Sequence, residues 1–170
     1  MYFMLLLLGG LLNPLLPPHA TGESVIIVNK ATHEVVLYQN NEIVFEAPAA
    51  IGRTKELTPE GHFDVKVKAK DPYYRKKDIP GGDPENPLGS RWIGFDARGT
   101  DGRIYGIHGT NQPDSIGKSV SAGCIRLNNA DVEKLFEMVP VDADLIIVDS
   151  EKSRNDLYHS WVEEKLQNQL

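Results

Sequence analysis

Apolar and polar positions between residues 24 and 108 mostly follow the two-residue period of β-strands. The run from Ser24 to Val28 is apolar and β-branched, which is typical of a buried strand. From His62 to Lys70 apolar and polar residues alternate, which predicts a half-buried strand with one face in water. Asn40-Asn41 predicts a tight turn, because asparagine tolerates a positive φ. Further strands are predicted over Glu34 to Tyr38, Glu42 to Ile51, Arg91 to Phe95, Arg103 to His108 and Asp144 to Val148.

Helical spacing is confined to the C-terminal part of the chain. Asn128 is placed to cap a helix over Asn129 to Met138, and Pro140 marks its end. The tail from Glu151 to Leu170 predicts an amphipathic helix that packs on the domain, with a partner-binding helix as the alternative. Its stripe consists of Leu157, Trp161, Val162, Lys165 and Leu166. These patterns together predict a mostly β domain.

One long segment follows neither period. Asp71 to Gly89 is rich in proline and contains Gly81-Gly82 and the paired tyrosines Tyr73 and Tyr74. A loop of this length within a compact domain is usually functional or disordered. The segment is therefore either a mobile, solvent-exposed excursion or a lid or wall over a substrate groove.

The N-terminal segment differs in character from the rest. Met1 to Leu16 is almost wholly apolar and is followed by Pro17-Pro18-His19-Ala20. It is too short and too rich in proline for a comfortable membrane-spanning helix of about 20 residues. It suits an export signal with cleavage after Ala20, or a retained N-terminal membrane anchor. The expected organisation is a leader over residues 1–20, a catalytic domain over 24–149 and the C-terminal helix over 151–170.

Composition and charge narrow the function classes. A chain of 170 residues with 41% hydrophobic and 25% charged residues fits one soluble globular domain. The formal net charge of -6 argues against a general nucleic-acid-binding protein. One window is basic and contains Lys66, Lys68, Lys70, Arg75, Lys76 and Lys77. It predicts either a solvated strand edge protected by lysines or a positive rim that attracts anionic polymers or peptide carboxylates.

The candidate chemistry centres on a lone thiol. Cys124 is the only cysteine, in Ser121-Ala122-Gly123-Cys124-Ile125-Arg126-Leu127, and His108 stands 16 positions upstream. A thiol attacks carbonyls as the thiolate, and a neighbouring imidazole commonly supplies that activation. A buried cysteine that packs as a small hydrophobe is the alternative. The cysteine alone leaves both interpretations open.

The stretch from Ile107 to Leu127 resembles the catalytic signature of the L,D-transpeptidases, the YkuD-like family of cell-wall cross-linking enzymes. The matching residues are His108, Ser121, Gly123, Cys124 and Arg126. Outside this stretch, Thr58-Pro59-Glu60-Gly61-His62-Phe63, Asn86-Pro87-Leu88-Gly89 and Ser115-Ile116-Gly117 also resemble elements of the family. One residue departs from the pattern, since many members carry a second histidine where this chain has Ala122.

The resemblance implies a fold and a set of catalytic residues. The fold is a mostly antiparallel, β-sandwich-like domain with a short helix after the catalytic motif. Cys124 is the implied nucleophile and His108 its base, oriented by the carbonyl of Gly109. The N–H groups of Gly123 and Cys124 are expected to face the oxyanion. The implied substrate-binding residues are Arg126, Ser121, Tyr105 and Asn111. Arg126 either binds a carboxylate or ties the catalytic loop to the core by bonding carbonyls, and Ser121 is expected to orient the turn.

The same resemblance implies the reaction. Cys124 accepts an acyl group from a peptidoglycan tetrapeptide stem, D-alanine leaves, and an amine of a neighbouring stem forms the cross-link. The alternatives are an L,D-carboxypeptidase that uses water and a non-catalytic wall-peptide-binding domain. No cofactor is expected, and a zinc site built from His62, His108 and Cys124 lacks a ligand spacing typical of zinc. A monomer exported to the cell envelope, with stem peptides as its partners, is expected.

Overall fold

The computed structural model describes residues 24–168, so the leader predicted over residues 1–20 lies outside the described residues. The strands are β1 (Ser24–Asn29), β2 (Glu34–Gln39), β3 (Glu42–Pro48), β4 (Ile51–Gly52), β5 (Gly61–Lys70), β6 (Arg91–Phe95), β7 (Tyr105–His108), β8 (Ser119–Ser121), β9 (Ile125–Arg126) and β10 (Asp144–Val148). The helices are α1 (Asn129–Met138) and α2 (Arg154–Gln167), and short 3₁₀ turns occupy Arg75–Lys77, Ala97–Gly99 and Pro113–Ser115. The mostly β fold with two helices is confirmed.

The strands form one large curled sheet and one small one. The eight-stranded sheet has the order β3-β2-β1-β10-β5-β6-β7-β9, and β4 pairs with β8 separately. Two pairs of the large sheet, β1 with β10 and β7 with β9, are parallel, and the other pairs are antiparallel. The predicted Asn40-Asn41 turn joins β2 to β3, and both asparagines have positive φ, at 51° and 68°.

The strand β5 corrects two expectations. It lies between β10 and β6, so the lysines of β5 do not protect an exposed strand edge. A bulge between Val65 and Val67 also shifts its register against β6. Val65 pairs with Phe95 in the core, whereas Val67 and Ala69 line an open cavity beyond the bulge. The alternating sequence therefore does not map onto one buried and one wet face, because the bulge exchanges the two faces partway along the strand.

Two apolar clusters cover the two faces of the sheet. The main core lies between the sheet and α1, which contributes Val132, Leu135 and Phe136. Asn128 precedes α1 as predicted, but its side chain makes no capping hydrogen bond. The second cluster packs α2 on β1, β2 and β10, which confirms that the tail helix packs on the domain. Its buried positions are Tyr158, Trp161 and Val162, while Leu157 and Leu166 are only partly buried.

No helix within residues 24–168 is long and apolar enough to cross a membrane.

Candidate active site

The sheet brings the two candidate catalytic residues together at one edge. His108 is the last residue of β7, and Cys124 immediately precedes β9. These strands run parallel, with Ile107 paired to Ile125 and His108 to Arg126. Residues two apart on an extended chain share a face, so Cys124, Arg126 and His108 lie on the same side of the sheet. Strand pairing therefore brings together two residues that lie 16 positions apart in the sequence.

His108 is held in one tautomer and one orientation. Its Nδ1 lies 2.6 Å from the carbonyl oxygen of Gly109, and a carbonyl can only accept, so Nδ1 carries the proton. The unprotonated Nε2 is therefore the basic atom. The indole of Trp92 stacks on the imidazole, with ring centroids 5.5 Å apart and planes 13° apart. The expected role of Gly109 as the group that orients the histidine matches this geometry.

The imidazole is neutral in the resting protein. His108 is 4% exposed, and this burial lowers its pKa from 6.5 to about 4. The charge of Arg126 acts in the same direction, while backbone hydrogen bonds to Gly109 and Leu88 oppose it. At neutral pH His108 is therefore uncharged, with the proton on Nδ1 and none on Nε2.

Cys124 is also neutral, so the thiolate through which a thiol attacks a carbonyl is not formed in the resting protein. Its thiol donates to the carbonyl of Ile104 at 3.6 Å, and within the described chain no hydrogen bond joins it to the His108 ring. Burial raises the pKa of the Cys124 thiol. Hydrogen bonding to the Gly106 backbone and the charges of Lys76 and Arg126 oppose that rise without reversing it. The resting pair is thus a thiol and an imidazole.

Ser121 organises the turn that carries the cysteine. It is 1% exposed, its hydroxyl donates to the Cys124 carbonyl at 2.6 Å, and it accepts the Gly123 N–H at 3.0 Å. The predicted orienting role agrees with these bonds, but the buried side chain cannot contact a substrate. Because the Gly123 N–H already has an acceptor, this structure does not offer it to an oxyanion. Gly123 has φ of 135°, and a Cβ there would lie 2.6 Å from the Leu57 carbonyl oxygen, so the turn requires glycine.

Two residues outside the catalytic motif, Thr58 and Lys30, support the turn that carries Cys124 through hydrogen bonds. The Thr58 hydroxyl donates to the Gly123 carbonyl at 3.0 Å and accepts the Gly52 N–H at 2.8 Å. The Thr58 carbonyl accepts in turn from the buried ammonium of Lys30 at 3.2 Å. Lys30 also donates to the Lys55 carbonyl at 2.6 Å and to the Glu60 carboxylate at 2.8 Å. A buried lysine with three acceptors is a strong anchor, and no local pattern of the sequence marks it.

The other predicted substrate contacts fall in three different places. Tyr105 pairs with Phe95 and packs against the main core, on the face opposite His108, so it does not line the cavity of Cys124. The Asn111 amide donates to the carbonyls of Glu85 at 3.1 Å and Pro84 at 3.5 Å, and thereby ties down the 71–89 loop.

Arg126 reaches the side chain of Gln112 at 3.4 Å and bonds no backbone carbonyl of residues 24–168 through its guanidinium. Tying the catalytic loop to the core through carbonyls is therefore not its role here. Its charge instead acts on both His108 and Cys124, since it lowers the pKa of each.

Trp92 and Asn129 support the surroundings of His108, and no motif of the sequence marks them. A Cβ on Gly106 would lie 2.6 Å from the Trp92 indole, so the ring rests directly on this glycine beside His108. The Asn129 carboxamide oxygen accepts from Thr110 at 3.1 Å and from Ser90 at 3.3 Å. These two bonds fix the backbone at Ser90 and at Thr110, the residue after the Gly109 carbonyl that orients His108. The register of β6 against β7 places Trp92 beside His108, and the packing of the start of α1 against the segments at residues 90 and 110 places Asn129. Neither contact can be read from local pattern.

Cys124 opens into a cavity of about 420 Å³. The lining residues are Val67, Ala69, Pro72, Tyr73, Tyr74, Arg75, Lys76, Leu88, Trp92, Arg103, Ile104 and Cys124. Six of them belong to the 71–89 loop, which confirms that this loop forms a wall of the groove. His108 lies behind Trp92 and is not on the wall. A second cavity of about 540 Å³ beside Lys55 and Arg98 contains neither candidate catalytic residue.

The donor set of the site is one thiol and one imidazole. Among the described residues no group of three histidine, cysteine, aspartate or glutamate side chains is arranged to hold a metal ion. His62 lies away from the site and faces Glu164 of α2, with Nε2 at 3.5 Å from the carboxylate.

Comparison with known proteins agrees with this arrangement. The family model of the YkuD L,D-transpeptidase catalytic domain matches residues 23–148. YqjB of Bacillus subtilis, named an L,D-transpeptidase, is 54% identical over 136 residues, which are 80% of this chain and 77% of that protein. YkuD of Bacillus subtilis, named likewise, is 36% identical over 75% of this chain and 67% of its own length.

Solved structures extend the likeness to the fold. The L,D-transpeptidase from Mycobacterium smegmatis superimposes with a TM-score of 0.59 at 24% identity, over 74% of this chain and 58% of that one. The L,D-transpeptidase 3 from Mycobacterium tuberculosis has a TM-score of 0.60 at 19% identity, over 74% of this chain and 61% of that one. This chain thus spans about three fifths of those structures. The family match over residues 23–148 and the 54% identity to YqjB show that the chain belongs to the L,D-transpeptidase catalytic-domain family.

Proposed function

We propose that this enzyme cross-links peptidoglycan by cysteine acyl transfer from a tetrapeptide stem, with release of D-alanine. The observation that carries the proposal is the placement of Cys124 on the wall of an open cavity, on the same side of the sheet as a buried, neutral imidazole in a fixed tautomer. Membership of the L,D-transpeptidase family supports the reaction class. The stem peptide is the proposed partner, and the net charge of -6 argues against nucleic acid.

The reaction has two acyl-transfer steps. As Sγ of Cys124 attacks the carbonyl before the terminal D-alanine, Nε2 of His108 takes the thiol proton. The S–C bond forms, the amide C–N bond breaks, and His108 returns the proton to the departing amine. A side-chain amine of a second stem then attacks the thioester, an amide bond forms, and the sulfur leaves as the thiol. Because the resting pair is neutral, the proton moves during the attack.

The tetrahedral intermediate needs a hydrogen-bond donor for its oxyanion. Unlike the Gly123 N–H, the Cys124 N–H has no acceptor among residues 24–168, and we assign this role to it. Gly123 then contributes through the backbone shape that only glycine permits at this position, and not as a donor. Arg126 remains available for a carboxylate of the substrate.

Incubation with purified muropeptides, followed by mass spectrometry of the products, tests the function. Cross-linked dimers joined between third-position residues, with release of D-alanine, are the expected products. Tripeptide stems without dimers would mean that water is the acceptor and that the enzyme is an L,D-carboxypeptidase. The Cys124→Ala variant is the matched control, and it should lose turnover by several orders of magnitude. Activity of that variant above about a tenth of the wild-type value would contradict the assigned nucleophile.

A non-catalytic wall-peptide-binding domain is the second candidate. It is favoured by one observation, that the Cys124 thiol bonds to Ile104 and not to the histidine in this structure. Intact-protein mass spectrometry after incubation with stem peptide tests this candidate. Binding of the peptide without formation of an acyl-enzyme would support it. A mass increase on Cys124 would exclude it.

Action on the wall requires a location outside the cytoplasmic membrane. The apolar stretch Met1 to Leu16 followed by Pro17-Pro18 supports export with cleavage after Ala20. Sequencing the N-terminus of protein recovered from the envelope distinguishes a cleaved leader, starting at Thr21, from a retained anchor, starting at Met1. Protein found intact and only in the cytosol would contradict the proposed role.

A further inference from the structure

Three cationic side chains line the cavity that leads to Cys124. Arg75 and Lys76 come from the 71–89 loop, and Arg103 comes from the segment before β7. No aspartate or glutamate is among the lining residues. An otherwise apolar cavity with cations on its rim has the composition of a site for a ligand with an apolar or neutral body and an anionic end.

The basic segment of the sequence contains two groups of cations that differ in their ion-pair partners. Lys66 contacts the carboxylates of Asp64 at 2.8 Å and Asp96 at 3.6 Å, and Lys70 lies 3.3 Å from Glu137. Lys68 donates to the Val139 carbonyl at 2.6 Å. The lysines of β5 are therefore already paired.

The cations at the cavity have weaker partners or none. Arg75 and Lys76 make no ion pair and no side-chain hydrogen bond with any residue between 24 and 168. Arg103 lies 3.5 Å from Asp101, in an exposed pair whose side chains are 67% and 65% accessible. Exposed pairs of this kind contribute little free energy and exchange easily for another anion.

The segment that carries Arg75 and Lys76 is held in place by its own backbone. Tyr74 and Ile79 bond each other across the 3₁₀ turn at 2.9 and 3.2 Å. The buried amide of Asn86 donates to the carbonyls of Pro72 at 2.8 Å and Pro80 at 3.0 Å. The cationic turn is therefore positioned before any ligand arrives, which lowers the entropy cost of binding.

We propose that Arg75, Lys76 and Arg103 form a carboxylate-binding mouth that orients the anionic end of the acyl donor over Cys124. The inference rests on the proposed function, in which the residue that leaves carries a free carboxylate. That carboxylate belongs to the residue directly after the attacked carbonyl, so it lies within about 4 Å, one residue length, of the scissile bond. It must therefore lie in the cavity of Cys124, close to this rim. The charge of Lys76 also acts on the Cys124 sulfur, where it lowers the thiol pKa against the effect of burial.

Two alkylating agents of nearly equal size test the mouth without any wall substrate. Iodoacetate carries a carboxylate and iodoacetamide does not, so the ratio of their rates at Cys124 reports anion recognition in this cavity. In the full chain, Lys76→Gln should lower the iodoacetate-to-iodoacetamide ratio about fivefold, and Arg75→Gln should act in the same direction. Lys77→Gln is the matched control, because Lys77 is exposed on the same turn but does not line the cavity. A ratio that is equal in the wild type, Lys76→Gln and Arg75→Gln would overturn the proposal.

A second measurement connects the mouth to turnover. Tetrapeptide donors with a free or an amidated C-terminus are compared in the wild type and in Lys76→Gln. We expect Lys76→Gln to raise KM for the free acid and leave KM for the amide unchanged, with similar kcat values. Equal effects on both donors would contradict the proposal. If no donor turns over but the alkylation ratio responds as expected, the proposed function fails while the anion site stands.

Discussion

At the scale of single residues, burial determines the protonation state of the candidate catalytic pair. His108 and Cys124 share one edge of the sheet, and burial shifts both pKa values toward the neutral forms. The family resemblance implied that His108 is the base for Cys124, but a sequence motif carries no information on the desolvation of either group. Once the strands pack, desolvation disfavours the charged form of each group. In the proposed reaction, proton transfer from Cys124 to His108 is therefore coupled to attack on the substrate.

The pH dependence of thiol alkylation should reflect this resting state. We expect the rate of Cys124 alkylation by iodoacetamide to rise with an apparent pKa above the ordinary 9.0, because burial raises the thiol pKa. In an unfolded sample the same thiol should titrate in the usual range. A rate that already reaches its plateau near pH 7 in the folded protein would mean that the ion pair forms without substrate.

The buried histidine should also make the protein sensitive to acid. The unfolded chain binds a proton at a pKa of 6.5, whereas the folded protein binds it only near 4. Acid therefore stabilises the unfolded state, and the stabilisation that His108 provides above pH 6.5 is lost as the pH falls towards 4. The free energy of unfolding should drop by about 3 kcal/mol more in the wild type than in His108→Gln between pH 7 and pH 4. Denaturant titrations at both pH values measure this difference, and equal losses in the two proteins would contradict it.

At the scale of secondary-structure elements, local pattern and strand pairing carry different information. The predicted bounds of α1 and β10 match the structure, because each is a periodic run with clear limits. The short strands β8 and β9 have three and two residues, too few to show a period. The bulge in β5 reverses which apolar residues face the core, and nothing in the alternation marks it. The wall of the active site therefore depends on register, which the sequence alone does not specify.

The residues of the candidate site also fall into two groups, those that a local motif predicts and those that depend on contacts between distant segments. The motif around Cys124 and His108 predicted the proposed reacting groups and the contact of His108 with the Gly109 carbonyl, because short motifs keep backbone geometry. It did not identify Trp92, Lys30 or Asn129, whose roles arise from contacts with segments distant in sequence. It also placed Ser121 and Tyr105 with the substrate, although the first is buried in the turn and the second faces the core.

The Thr58 segment offers a test of how the turn is supported. Thr58→Val removes the hydroxyl that joins Gly52 to the Gly123 carbonyl but keeps the shape of the side chain. We expect a loss of roughly 1–3 kcal/mol in the free energy of unfolding, because a buried acceptor and a buried donor lose their partner. kcat should fall as well, since the Cys124 N–H sits on the loosened turn.

Thr58→Ser keeps the hydroxyl and serves as the control, which should restore most of kcat. Denaturant titration and product formation from muropeptides measure the two effects. If Thr58→Val and Thr58→Ser have the same kcat, the hydroxyl does not position the cysteine and the turn is held by other contacts.

At the scale of the whole molecule, the candidate active site and the apolar cluster under α2 lie on different parts of the sheet. The site lies on β6, β7 and β9, at one end of the strand order. The helix α2 packs on β1, β2 and β10, towards the other end, and contributes its own apolar cluster. Tyr158 stacks on Tyr38 with ring centroids 4.1 Å apart, and Lys165 lies 3.0 Å from Asp144. The strands β5 and β10 connect the two regions, so α2 should stabilise the fold without shaping the cavity.

Substitution of Trp161 tests this separation. Its side chain is 4% exposed at the centre of the second cluster, and Trp161→Ala should lower the free energy of unfolding by about 3–5 kcal/mol. Trp161→Phe should cost less, because it fills most of the space and the buried indole N–H has no partner among the described residues. Glu163→Ala, on the exposed face of α2, is the control and should be close to neutral. Under native conditions the rate of Cys124 alkylation should be the same in all three variants. A rate that falls in step with stability would instead show that α2 and the catalytic edge form one cooperative unit.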